Sequence, residues 1–371
     1  MNTNENTNIE YLKSLSVKSL KEKVKEIKAQ LPKEQQNVIT FSKNFTISIS
    51  NYCQNQCGYC FYNYKVPKID KKDNIILINN EEIIELIRKA LANNCKEALL
   101  MSGEKPYLFP EVEAALLDKS CFDYVRFVID ICIYLLDFNL LPHTNIGILS
   151  HDELKRLKNY NASMGLMLES TSKKLFEKGG VHERSPGKIP EKRMEHITNA
   201  GKLKIPFTTG LLLGIGENVD DRINDLFLIK NIHEKYGHIQ EIILQNFIYK
   251  EGIPYRPEKP ISIEEILKIV GIAKIIFKNE IPIQVAPNLI AGFERDFIDM
   301  CINDFGGISP ITYDYINPEK PWPQINRLKK ICGKNGYRLK ERLPIYDKYI
   351  NKIDFCPENI KTRIDTININ D

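Results

Sequence analysis

Seven short apolar runs recur along this chain, each followed by a longer stretch before the next, and several of those stretches are amphipathic. That rhythm limits the available folds more than any other feature. The runs are FTISIS (45–50), EALLMS (97–102), TNIGIL (144–149), SMGLML (163–168), FTTGLLL (207–213), IQEIILQN (239–246) and PIQVAP (282–287), with a shorter eighth expected near 301–308. Between them lie segments with helical periodicity, among them EEIIELIRKALANN, FDYVRFVIDICIYLLDF, DDRINDLFLIKNIHEKY and IEEILKIVGIAKIIF. Strands alternating with helices of this length imply a parallel sheet built from βα units. About eight such units close most economically into an α/β fold of the (βα)8, TIM-type barrel class, with a doubly wound open sheet as the runner-up. The 371 residues accommodate one such domain. Residues 1–40 read as a helical appendage lying against the body, 41–335 as the barrel, and 336–371 as a C-terminal extension packed on it; after Ile350 no motif is legible.

Composition narrows the function classes. Lysines and glutamates are interspersed and the formal net charge is only +4, so nucleic acid is not an expected partner. No window approaches the ~18 uninterrupted apolar residues of a membrane span. The opening MNTNENTNIE has neither a basic start nor an apolar core, so no signal peptide is expected. A cytoplasmic, reducing location follows, in which the nine cysteines are not expected to pair.

Three of those cysteines stand together. SNYCQNQCGYCFYN places Cys53, Cys57 and Cys60 directly after the first predicted strand, at the barrel end where functional residues belong. A structural zinc site takes four ligands, and the next cysteine, Cys95, falls within a predicted helix. A C-x-x-C redox pair would leave Cys53 idle. Three thiolates on one short loop can instead hold three irons of a [4Fe–4S] cube and leave the fourth open.

The C-x-x-x-C-x-x-C spacing, with Tyr59 before the last cysteine, resembles the signature of the radical S-adenosylmethionine (SAM) enzymes. In that superfamily the open iron is chelated by the methionine part of SAM, and reductive cleavage yields a 5′-deoxyadenosyl radical that abstracts hydrogen from substrate; the protein positions and shields this chemistry. The resemblance implies one [4Fe–4S] cluster, SAM and a low-potential electron donor. It also implies a SAM pocket formed by Tyr59 and by residues along the later strand ends. Ser102-Gly103-Glu104 stands where the superfamily has Gly-Gly-Glu, the turn that holds the methionine ammonium. Glu169, in MLEST, is placed to meet the ribose, and Arg193 resembles the arginine that biotin-synthase-like members use near the carboxylate. Gly210, Gly214 and Glu217 fit a G-x-I-x-G-x-x-E pattern for the adenine, with Leu212 for Ile, and Gln245 ends the sixth strand beside them.

Longer stretches are similar to one branch, the first subunit of the deazaflavin synthases: LLPHTNIGILS, NASMGLMLEST, GGVHERSPGK, IPFTTGLLLGIGE, YGHIQEIILQNF and INDFGGISPITYDYINPEKPWP, within residues 40–350. This implies a partner, the second subunit, that supplies an adduct of a tyrosine-derived 4-hydroxybenzyl group with 5-amino-6-ribitylaminouracil. The chain would close its rings with loss of ammonia. His143, Asn145, His182, Arg184, Asn303, Asp304 and Ser309 are candidates to reach the barrel mouth as substrate contacts, with Asp304 or His182 as the proton acceptor. The competing readings are the second subunit itself, another biotin-synthase-like radical enzyme, and a non-catalytic metal-binding scaffold. The six remaining cysteines are scattered singly and read as small buried hydrophobes.

Overall fold

The computed structural model describes residues 3–66, 74–352 and 354–367; the extremities of the two terminal segments, 1–2 and 368–371, lie outside them. Eight parallel strands form a closed barrel: β1 Val38–Ser50, β2 Glu97–Ser102, β3 Leu141–Asn145, β4 Ser163–Gly165, β5 Phe207–Leu213, β6 Ile239–Asn246, β7 Ile283–Gln284 and β8 Asp304–Ile308. Each pairs with the next, and β1 closes the ring by pairing with both β8 and β2. The open-sheet alternative is thereby excluded. Three expected strands occur with their expected limits (β2, β5 and β6), whereas β3 begins three residues before TNIGIL and stops at Asn145.

A ninth strand, β9 Arg338–Arg342, has no counterpart among the expected runs. The first strand is long enough to serve two neighbours on one edge. Its Asn44–Ser50 part pairs with β2, while Val38–Ser42, whose Thr40 and Ser42 meet β8 on the other edge, pairs in parallel with β9. The chain then turns under the barrel. Ser163 Oγ and Gln240 Nε2 both donate to the Pro344 carbonyl, at 2.7 and 2.9 Å. Beyond it Ile345, Tyr349, Phe355 and Ile360 bury themselves against Leu141 and Ala162. The chain from β9 onward is therefore the plug of the barrel's N-terminal end, and the stretch after Ile350, where no motif is legible, adds Phe355 and Ile360 to it.

At the other terminus, Val17–Ala29 is a helix whose Leu20 and Val24 are fully buried, each contributing roughly 1.5–3 kcal/mol of apolar burial. It packs on the helix Ile263–Phe277, whose Gly271 leaves only 3.0 Å between a methyl group built there and Leu20. No described helix is long and apolar enough to cross a membrane.

Candidate active site

The cysteine loop leaves β1 at its C-terminal end and is tied down on two sides. From β2, the Glu104 amide donates to Cys53 Sγ at 3.1 Å, and the Gln54 amide donates back to the Glu104 carbonyl at 3.0 Å. From the segment 181–187, the Val181 and Arg184 carbonyls accept from the amides of Gly58 and Gln56, at 2.8 and 2.9 Å. Ser185 Oγ donates to Cys57 Sγ at 3.3 Å, and the Gly187 amide donates to Asn55 Oδ1 at 2.7 Å. Tyr62, at the loop's far end, donates to the Ser50 carbonyl at 2.9 Å and bonds Ser48.

All three cysteine side chains line one cavity of about 250 Å³. Burial pushes the Cys53 thiol up to about 12 and raises that of Cys60 as well, so ionised sulfur here requires a compensating positive charge. Iron would supply it, and the two donors aimed at Cys53 and Cys57 sulfur suit thiolates better than neutral thiols. No three His, Cys, Asp or Glu side chains among the described residues converge on a single-ion site. A cube takes one thiolate per iron corner, so its ligands surround a space rather than a point. The residues present fit a cluster.

Next to the cysteines the same cavity is lined by Tyr59, Ser102, Gly103, Glu104, Glu169, Arg193 and Gln245, seven of the ten residues expected to hold SAM. Their charges are interlocked. Glu104 accepts from Gln54 Nε2 at 2.7 Å and from the Ile148 amide at 3.0 Å, with Arg193 Nη1 at 3.9 Å. Burial works against its charge, but Arg193 and these donors outweigh it and hold the carboxyl below the usual range. Glu169, in a left-handed conformation with φ of 66°, pairs with Lys188 at 2.6 Å and stands 3.8 Å from Arg193. Arg193 also donates to the Met167 and Gly187 carbonyls. Gly187 has no room for a side chain, because a Cβ there would lie 1.5 Å from Glu104 Oε1.

The other three expected SAM contacts lie elsewhere. Gly210 is inside the sheet against β6, its carbonyl accepting from the Glu169 amide. Gly214 and Glu217 line a separate, outer cavity of about 950 Å³ that holds none of the cysteine side chains. Glu217 accepts from the Gly214 and Ile215 amides, at 2.6 and 2.8 Å, and pairs with Arg222. That carboxylate clasps its own turn.

Below the cluster cavity, inside the barrel, is a second cavity of about 240 Å³. The two share Met101, Asn145, Met167, Gln245 and Ile316 as common wall. Of the expected substrate contacts, Asn145 lies in that shared wall and His143 lines the lower cavity. Burial, with Arg342 adding to it, takes the His143 pKa down to about 4, and its Nδ1 meets Ser163 Oγ at 2.7 Å.

The remaining expectations are corrected by their positions. Asn303 and Asp304 precede and begin β8, so they sit at the closed end of the barrel and not at its mouth. Asn303 Oδ1 accepts from Lys274 Nζ and the Ile283 amide, at 2.9 and 3.0 Å. Asp304 is gripped by Arg342, with Nε to Oδ2 at 2.6 Å and Nη2 to Oδ1 at 2.9 Å. Ser309 caps the turn after β8 through the Thr312 amide and hydroxyl. Arg184 lines the outer cavity. His182 lies behind the cysteine loop, its Nε2 3.0 Å from the Tyr59 hydroxyl, and burial takes its pKa down to about 2. Neither expected proton acceptor, Asp304 nor His182, lines the interior cavity.

Sequence reading missed Lys188, Gln54 and Asn55. Lys188 closes the quoted GGVHERSPGK stretch, and a lysine following a Pro-Gly turn was its only signal.

Residues 47–229 match the Radical SAM superfamily. The chain is 48% identical over 315 residues to a 7,8-didemethyl-8-hydroxy-5-deazariboflavin synthase of Methanococcus vannielii, covering 85% of this chain and 87% of that protein. It is 43% identical to the synthase of the same name from Methanocaldococcus jannaschii, over 96% of both. Among solved structures it shares its fold with the [FeFe]-hydrogenase maturase HydG (TM-score 0.66, 17% identity, 91% of this chain and 80% of that one) and with methylornithine synthase PylB (TM-score 0.66, 18% identity, 90% and 93%).

Proposed function

The chain belongs to the 7,8-didemethyl-8-hydroxy-5-deazariboflavin synthase family of radical SAM enzymes, and we propose that it is the first subunit, the ring-closing lyase. Its substrate would be 5-amino-5-(4-hydroxybenzyl)-6-(D-ribitylimino)-5,6-dihydrouracil, delivered by the second subunit. Ring closure with loss of ammonia would give the deazaflavin.

The observation that carries this reading is the stacking of two cavities with a common wall. Cys53, Cys57 and Cys60 would hold one [4Fe–4S] cluster, and Ser102, Glu104, Glu169, Arg193 and Gln245 would bind SAM in the upper chamber. When bound and reduced by a low-potential donor, the pair supplies a 5′-deoxyadenosyl radical for hydrogen abstraction. The chain's own contribution is placement. Arg193, Lys188, Glu104 and Glu169 form a buried set of two cations and two carboxylates that suits the ammonium, carboxylate and ribose hydroxyls of SAM. Met101, Met167 and Ile316 supply apolar surface at the junction of the chambers, beside the amides of Asn145 and Gln245, and that surface limits water at a reactive centre.

The test is anaerobic turnover of the reconstituted protein with SAM, a reductant and the adduct. Deazaflavin fluorescence is expected, and Cys57→Ala should abolish it together with bound iron. Release of 5′-deoxyadenosine without fluorescence would retain the radical enzyme and discard this substrate.

A further inference from the structure

The interior cavity is not chemically uniform from top to bottom. Strand register orders its lining: Asn44 pairs with Glu97 at the base, Thr46 with Leu99 above, and Met101 with Asn145 at the junction with the upper chamber. The junction presents Met101, Met167 and Ile316 beside Asn145 and Gln245, and Leu289, Tyr315 and Trp322 add apolar and aromatic wall; the base presents Asn44, Glu97, Thr208, Gln240, Glu241 and Gln284. Two glycines make room for this base. A Cβ on Gly306 would lie 2.1 Å from Gln284 Nε2, and one on Gly307 would lie 2.2 Å from Asn44 Nδ2. The NDFGG motif therefore admits two amide side chains to the cavity. Asn44 is only 4% exposed, and its Oδ1 is buried without a hydrogen-bond partner, an arrangement that costs stability unless a ligand completes it.

We infer that the base of the interior cavity is a subsite for a chain of hydroxyl groups, with the ring system of the same ligand held above it. Within the reaction proposed above, on which this assignment rests, that chain is the ribityl arm. A hydroxyl both donates and accepts, so consecutive hydroxyls can satisfy Asn44 Oδ1 and the Gln284 amide together. A flat ring instead gains most from the apolar and aromatic walls above. This orientation directs the rings toward the shared wall and keeps the arm farthest from the radical.

The experiment is a cycle of two proteins and two substrates: wild type and Gln284→Ala, each with the adduct and with an analogue carrying a methyl group in place of the ribityl arm. KM is read from deazaflavin fluorescence. Binding is read from quenching of Trp322, the chain's single tryptophan, which lines the cavity. Loss of the arm should weaken wild type about 100-fold, equivalent to two or three net hydrogen bonds, and Gln284→Ala by clearly less. Gln284→Met, of similar size and without the amide's hydrogen bonds, carries the same comparison if the alanine variant does not fold. Equal losses in both proteins, or a loss under about 3-fold in wild type, would overturn the subsite. No product from wild type with the intact adduct would instead overturn the proposed reaction, and the subsite with it.

Discussion

Replacing Arg342 with methionine removes the cation that grips a buried carboxylate cluster while keeping a side chain of similar length. Arg342 bonds both oxygens of Asp304 and one of Glu241, the last at 2.6 Å, and stacks 4.5 Å over the Tyr346 ring. Asp304 is fully buried, and Glu97 and Glu241 stand near it. Without the arginine, a buried carboxylate is left without its compensating charge, which typically costs roughly 3–5 kcal/mol. At about 2 °C per kcal/mol, the expected fall in Tm is about 6–10 °C at pH 7.5.

Glu241, which Arg342 also grips, gives wild type a pH trend. Burial raises its pKa to about 8, above its unfolded value, so the native state keeps a proton that the unfolded chain has lost. Its contribution to stability therefore declines as pH rises from about 4.3 through 8. The assay is thermal unfolding of iron-free protein at pH 7.5 and pH 5. A variant that melts at or above wild type at pH 7.5 would refute the view that an unpaired carboxylate is what Arg342 prevents, and a wild type that gains no stability as pH falls from 7.5 to 5 would refute the proton assigned to Glu241.

Two further outcomes concern the upper chamber. Gly187→Ala would force Glu104 away from Gln54 and the Ile148 amide, so SAM affinity measured by equilibrium dialysis should fall about 10- to 100-fold, the weight of one or two charged hydrogen bonds. Iron content should stay at the wild-type level, and unchanged affinity would remove Glu104 from the SAM site. Lys188→Met leaves Glu169 with Arg193 alone and should raise the KM for SAM about 10-fold in a 5′-deoxyadenosine release assay, the weight of one charged hydrogen bond; no change would make that ion pair purely structural.

How much of this is legible in the sequence depends on how directly a residue's own neighbours reveal its surroundings. FTTGLLL and IQEIILQN have apolar or β-branched residues on both faces, and their limits match β5 and β6. The third strand is displaced from its expected place because Pro142 disguises its start, while the apolar Ile146 and Leu149 that follow are buried in the turn beyond it. β9 is invisible because RLKER is mostly charged and pairs only with the extension of β1. The same holds for the site. Cys53, Cys57, Cys60 and the Ser102-Gly103-Glu104 turn are local patterns, and they do line one cavity. The roles expected for Asp304 and His182 depend on partners 38 and 123 positions away, which no local pattern records. GGVHERSPGK, expected to meet substrate, is the clamp that holds the cysteine loop.

The plug beneath the barrel has a consequence for the order of events. With Pro344 tied to Ser163 and Gln240, and Arg342 locked between Asp304 and Glu241, the interior cavity has no exit past its base. Whatever occupies its base has to be threaded in first and withdrawn last. A molecule seated over the shared wall acts as a stopper for what lies below. With SAM seated there, as proposed above, the deep ligand would load before it, and the finished product would wait until the spent cofactor had left.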